Sequence, residues 1–120
     1  MKKTVNILGT TYKVETGVPY DKDPSLMGRF GYTSVVGKKI VVADVSTIPG
    51  WDGADDVEAT VVVDSTLRHE VIHAYLMESG LNGSANDTDC WARNEEMVDW
   101  IAIQFPKILK TFEQLGCVGR

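Results

Sequence analysis

His69-Glu70-Val71-Ile72-His73 is the stretch on which the reading of this chain turns. It has the form H-E-x-x-H. On a helix, residues four apart lie on one face, one turn above each other. Two imidazoles so placed can grip a single zinc ion. Glu70, one step on from His69, can reach water at that ion from the side. Zinc lowers the pKa of the water, and a carboxylate can then take its proton. Five residues thus supply two ligands and a general base. The chain has two histidines, and both fall in this motif.

The surrounding sequence supports a helix. No glycine or proline lies between Asp55 and Ser79, and Gly80 is a natural stop. Asp55 or Asp56 is placed to cap the start. Val61-Val62-Val63 favours strand locally, so a later start capped by Asp64 or Ser65 is the fallback.

A catalytic zinc needs a third protein ligand and an open position. With no third histidine, that ligand must be a carboxylate or a thiolate. The next helix, expected from about Asp89 or Cys90, offers Glu95 and Glu96. Trp91, Val98, Ala102, Phe105 and Phe112 form its apolar stripe. Glu95 lies on that stripe, where a charge is costly unless paired, and Glu96 points closer to the polar side. Glu95 is therefore preferred as the metal ligand. Pro106 is expected to kink or split the helix near Phe105.

Asn94-Glu95-Glu96-Met97-Val98-Asp99 resembles the N-E-x-x-x-D pattern of thermolysin-type gluzincins. Glu95 with Val98, Asp99, Ile101 and Ala102 is also similar to the glutamate helix of ImmA/IrrE-type metallopeptidases. The resemblance covers residues 67 to 105 and extends to minimal gluzincins of prophage type. It implies a zinc metallopeptidase with His69, His73 and Glu95 as metal ligands and Glu70 as catalytic base. It also implies Asp99 as the carboxylate that orients His69 or His73. The pattern departs from the family in lacking a further histidine for the oxyanion; Tyr75 follows the motif but differs from the ligands in helical phase, and Tyr32 and Tyr20 remain open candidates from the sheet.

The first half reads as strands. Val5 to Val14 alternates loosely and is interrupted at Leu8-Gly9-Thr10, which suggests a hairpin or a bulged strand pair. Tyr32–Val36 and Lys39–Val45 flank Gly37-Lys38 as a second hairpin. The expected fold is α+β and zincin-like, one domain over 1–120. A small twisted sheet packs on the H-E-x-x-H helix and the following glutamate helix. By resemblance, Lys39–Val45 is the candidate sheet edge for an extended peptide or protein substrate.

Twelve basic and seventeen acidic residues give a net charge of −5. That argues against broad binding to nucleic acid or to an anionic membrane. No segment reads as a signal peptide or a membrane span, so a cytoplasmic protein is expected. Cys90 and Cys117 are too few for a disulfide framework and are expected as free thiols. Cys90 is a rival ligand, though a small core residue is the commoner outcome. Cys117 folding back onto the metal would make the site latent. The alternative function is a non-catalytic, zinc-containing binding or regulatory module of phage type. Glu70 counts against it, because a structural site needs no base.

Overall fold

The structure is a computed structural model that describes residues 1–53, 56–81 and 90–119. Six elements organise it: β1 (Lys2–Ile7), β2 (Thr10–Pro19), β3 (Gly31–Ser34), β4 (Lys39–Asp44), α1 (Asp56–Glu78) and α2 (Glu95–Gln114). The strands form one mixed sheet in the order β1-β2-β4-β3, and the architecture is α+β. Among the described residues, no helix is long and apolar enough to cross a membrane.

The first hairpin forms as the alternation predicts. Leu8 and Gly9 both have positive φ (51° and 91°), the backbone that a two-residue turn needs to follow strand twist. Asn6 Oδ1 fixes the turn by accepting from the Gly9 N–H at 2.7 Å. The second hairpin differs from expectation. β3 ends at Ser34, and the turn takes in residues 35–38, so Val36 is exposed rather than in a strand.

β4 is not the sheet edge. It pairs parallel to β2 on one side and antiparallel to β3 on the other. Its Ile40-Val41-Val42-Ala43 run is buried throughout, as a strand covered on both faces requires. Period-2 alternation sorts these residues. Ile40 packs with Ile7, Tyr12, Val14 and Ala74 beneath α1. Val41 and Ala43 pack on the opposite face with Leu26 and Tyr32. β3 is therefore the edge strand beside α1. Gly31 permits the approach: a Cβ there would lie 2.8 Å from the Val41 carbonyl oxygen and 2.9 Å from Thr66 Cγ2.

The long reading of the first helix holds. α1 runs from Asp56, and the Val61–Val63 run is helical because the surrounding twenty-three residues contain no breaker. Asp55, the other proposed cap, lies outside the described residues. Gly80 ends the helix with φ 91°, and the Leu81 N–H returns to the Leu76 carbonyl. Glu78 ties this end to the sheet by accepting from Tyr12 Oη, Thr10 Oγ1 and Lys38 Nζ.

α2 begins later than expected. Trp91–Arg93 is a separate turn of 3-10 helix. Asn94 then caps α2 by accepting from the Met97 N–H at 2.8 Å. Asp89, the other proposed start, lies outside the described residues. Trp91 is thus off the helix and exposed, while Val98 and Ala102 are fully buried.

Pro106 does not split α2, which continues to Gln114. A proline at this position cannot donate to the carbonyl four residues back, that of Ala102. Arg68 of α1 supplies the missing donor: its Nε donates to the Ala102 carbonyl at 2.6 Å. The break in one helix's ladder is closed by the other helix.

A candidate metal centre with an adjacent carboxylate

The site is assembled from both helices and the edge strand. His69 and His73 lie one turn apart on α1, with ring centroids 4.7 Å apart. Each ring is held from behind. His69 Nδ1 lies 2.7 Å from Asp99 Oδ1 on α2, and His73 Nδ1 lies 2.6 Å from the Ala92 carbonyl oxygen. A carboxylate and a carbonyl only accept, so each Nδ1 carries its proton. In the neutral rings both Nε2 atoms are then bare lone pairs.

Those lone pairs face each other. His69 Nε2 and His73 Nε2 are 3.0 Å apart. The Glu95 carboxylate reaches across to both, with Oε1 2.6 Å from His73 Nε2 and Oε2 3.3 Å from His69 Nε2. Three acceptors converging without a donor repel one another, and a cation between them removes that cost. The spacing fits one. Ligand atoms around a tetrahedral zinc with bonds of about 2.1 Å sit about 3.4 Å apart. The observed 3.0 and 3.3 Å are close to this, and the exposed Glu95 side chain is free to open the 2.6 Å contact.

Glu95 reaches the histidines for a different reason from the one its sequence phase suggests. It is the first residue of α2, with its side chain 68% exposed, rather than a charge inside an apolar stripe. Glu96 is also exposed.

Glu70 is buried beside the pair, and it forms with His69 and His73 a group whose ligand atoms all lie within 4.8 Å. Such a group is close enough to hold a metal ion. Glu70 and Glu95 are thus both within reach, but Glu95 touches the two Nε2 atoms directly. Glu70 is engaged from the sheet instead. Thr33 of β3 donates its hydroxyl to Glu70 Oε1 at 3.0 Å, shared with the Glu70 carbonyl at 2.9 Å. Burial pushes the Glu70 carboxyl above the usual carboxylate range, opposed by His69, the Thr33 hydroxyl and His73. A raised carboxyl is better matched to taking up a proton near neutrality.

The group opens into a cleft of about 840 Å³ between α1 and residues 28–33. Gly31, Thr33, Val62, Thr66 and the site residues line it, with Arg29 and Arg93 as cations.

The tyrosines considered from sequence do not meet the histidines. Tyr32 Oη donates to Asp23 Oδ2 at 2.6 Å on the other side of the sheet. Burial, together with that bond, pushes its phenol up to about 12. Tyr20 Oη accepts from the Gly28 N–H. Tyr75 lines a different groove, between α1 and α2. Cys90 is a free thiol off the helices. Cys117 is exposed beyond the end of α2, some 30 Å of helix from Glu95.

Sequence reasoning missed Thr33 and the Ala92 carbonyl. Strand alternation carried the signal for Thr33, since it pairs with Ile40, which faces α1. A backbone carbonyl such as that of Ala92 leaves no residue-type signal. No protein-family model matches the chain, and no curated protein or solved structure matches it either.

Proposed function

We propose that the chain is a zinc-dependent metallopeptidase of gluzincin type. His69 Nε2, His73 Nε2 and the Glu95 carboxylate hold the ion, and Glu70 is the general base. One observation carries the reading: both Nε2 atoms and the Glu95 carboxylate converge while Asp99 and the Ala92 carbonyl hold the two Nδ1 atoms, and a buried carboxyl stands alongside. This donor set suits zinc. Bound there, zinc supplies Lewis acidity toward water and toward a peptide carbonyl.

The chain's own groups do the rest. Asp99 and the Ala92 carbonyl fix the imidazole tautomers. Glu70 accepts a proton from water and later returns it to the leaving amine. Thr33 holds Glu70 in place from the edge strand. Among the described residues β3 pairs in the sheet with β4 alone, and its other side borders the cleft, where an extended peptide can add as a further strand. The substrate is therefore a flexible peptide or protein segment.

Engagement of the Tyr20 and Tyr32 hydroxyls away from the histidines supports the rival, a non-catalytic zinc-containing module. The buried Glu70 weighs toward chemistry.

The test is elemental analysis of the purified chain beside His73→Ala and Glu95→Gln. The expected result is one zinc per chain, lost in both variants. Glu70→Gln is expected to keep zinc and to lose cleavage of an unstructured peptide library read by mass spectrometry. Wild type that takes up no metal when zinc is supplied refutes the site. Zinc binding without cleavage by wild type favours the module.

A further inference from the structure

The second half of α2 carries an apolar seam that the described chain leaves open. Val98, Ile101, Phe105, Ile108, Phe112 and Leu115 alternate in steps of three and four, the a and d positions of a heptad repeat. Val98 is fully buried, but Phe105 and Phe112 are more than two-fifths exposed, and Leu115 is 73% exposed. The stripe starts as core and continues as surface. A patch of this kind marks an interaction site in an otherwise ordinary surface.

Beside the seam lies a groove of about 680 Å³ between the helices. Leu67, Val71, Ile72 and Tyr75 of α1 line it with Ile101 and Phe105 of α2, and Asp64 and Arg68, of opposite charge, stand at its wall. Each chain thus carries a groove at the near end of the seam and a ridge, Phe112 with Leu115, at the far end. An antiparallel two-fold pairing centred on Ile108 sets each ridge into the other copy's groove. A parallel pairing leaves both grooves empty.

We propose that this face is a homodimer interface, with α2 of each copy docked antiparallel against the α1–α2 groove of the other. The heptad spacing calls for a helix as occupant. The flanking positions are Ala102, Gln104, Leu109 and Thr111, so a like copy meets no charge repulsion along the seam. Covering three half-exposed rings (Tyr75, Phe105, Phe112), Leu115 and the aliphatic side chains between them removes at most roughly 600 Å² per copy, the low end for a specific interface, so a dimer of modest affinity is expected. An isologous contact of this sort closes on itself and stops at two. This inference is independent of the proposed chemistry.

Sedimentation equilibrium of the full chain, from micromolar to submillimolar concentration, tests it. The expected result is a monomer–dimer equilibrium in the wild type. Phe112→Asp weakens it by roughly thirtyfold or more, the effect of losing a central aromatic anchor. Because Phe112 is exposed, this variant keeps the wild-type circular dichroism. Leu115→Arg gives the same result at a second position. Ile108→Cys, in a chain with Cys90→Ser and Cys117→Ser, is expected to form a disulfide-linked dimer on mild oxidation. A wild-type monomer at every concentration overturns the proposal, as does a dimer that Phe112→Asp leaves intact. A dimer that fails to cross-link through Ile108→Cys overturns the antiparallel arrangement. Flotation of a monomer with phosphatidylcholine vesicles, abolished by Phe112→Asp, assigns the face to a membrane surface instead.

Discussion

Arg68→Met is expected to destabilise the fold through a carbonyl thirty-four positions away. Pro106 leaves the Ala102 carbonyl without its helical donor, and Arg68 Nε supplies one at 2.6 Å. Ala102 is 1% exposed, so water cannot take over easily. A buried acceptor left without a partner costs about 1–3 kcal/mol, and methionine keeps most of the apolar stem of arginine. With a urea slope of about 2 kcal/mol per molar, a loss of about 2 kcal/mol moves the unfolding midpoint by about 1 M. Pro106→Ala restores a backbone N–H that can reach the same carbonyl. In the Pro106→Ala background, Arg68→Met should therefore cost only a few tenths of a kcal/mol. The double-mutant cycle should show a coupling of about 1–2 kcal/mol. Equal costs in both backgrounds would refute the reasoning: Arg68 would then stabilise the helices by packing alone.

Gly31→Ala places a Cβ against the Val41 carbonyl and Thr66 Cγ2, and backbone cannot yield cheaply. A loss of about 1–3 kcal/mol is expected, measured by thermal unfolding, and Thr66→Ser should recover part of it. The Glu78 carboxyl is held below its ordinary value by the Lys38 ammonium first and then by the Tyr12 hydroxyl. A depressed folded-state pKa adds stability above the unfolded value near 4.5, and this is lost as pH falls through the lower folded value. Unfolding from pH 7 down to pH 3 should show this acid loss in wild type, with a shallower slope in Glu78→Gln. Asp99→Ala frees His69 Nδ1 and should weaken zinc binding by about 10–100-fold in competition with a chelator. An unchanged affinity would show that Asp99 does not orient the ring.

Much of this arrangement was legible because it is local. The H-E-x-x-H spacing put two histidines on one face, and the stretch around Glu95 pointed to the carboxylate that meets them. Breaker-free sequence from Asp56 to Glu78 outweighed three valines. What failed was non-local. Lys39–Val45 is an equally good strand at an edge or in the interior, and only pairing with β2 makes it interior. Trp91 fits the helical period, but Asn94 provides a stronger start, so the helix begins after it. Pro106 was expected to kink or split α2. It does not split it, because the compensating donor is on another helix. Exposure of the distal stripe was invisible for the same reason, since periodicity reports an apolar face without saying what covers it.

Glu95 is the first residue of α2, secured by one asparagine side chain. First turns fray most readily, so the two histidines and the carboxylate differ in permanence. The imidazoles stand mid-helix, whereas the position of the carboxylate depends on a single turn of backbone. A cation held by all three acts as a clasp on that turn. Its departure rate is then set by how often residues 94–97 unwind, and amide exchange at Met97 should slow on loading in step with the ion's residence time.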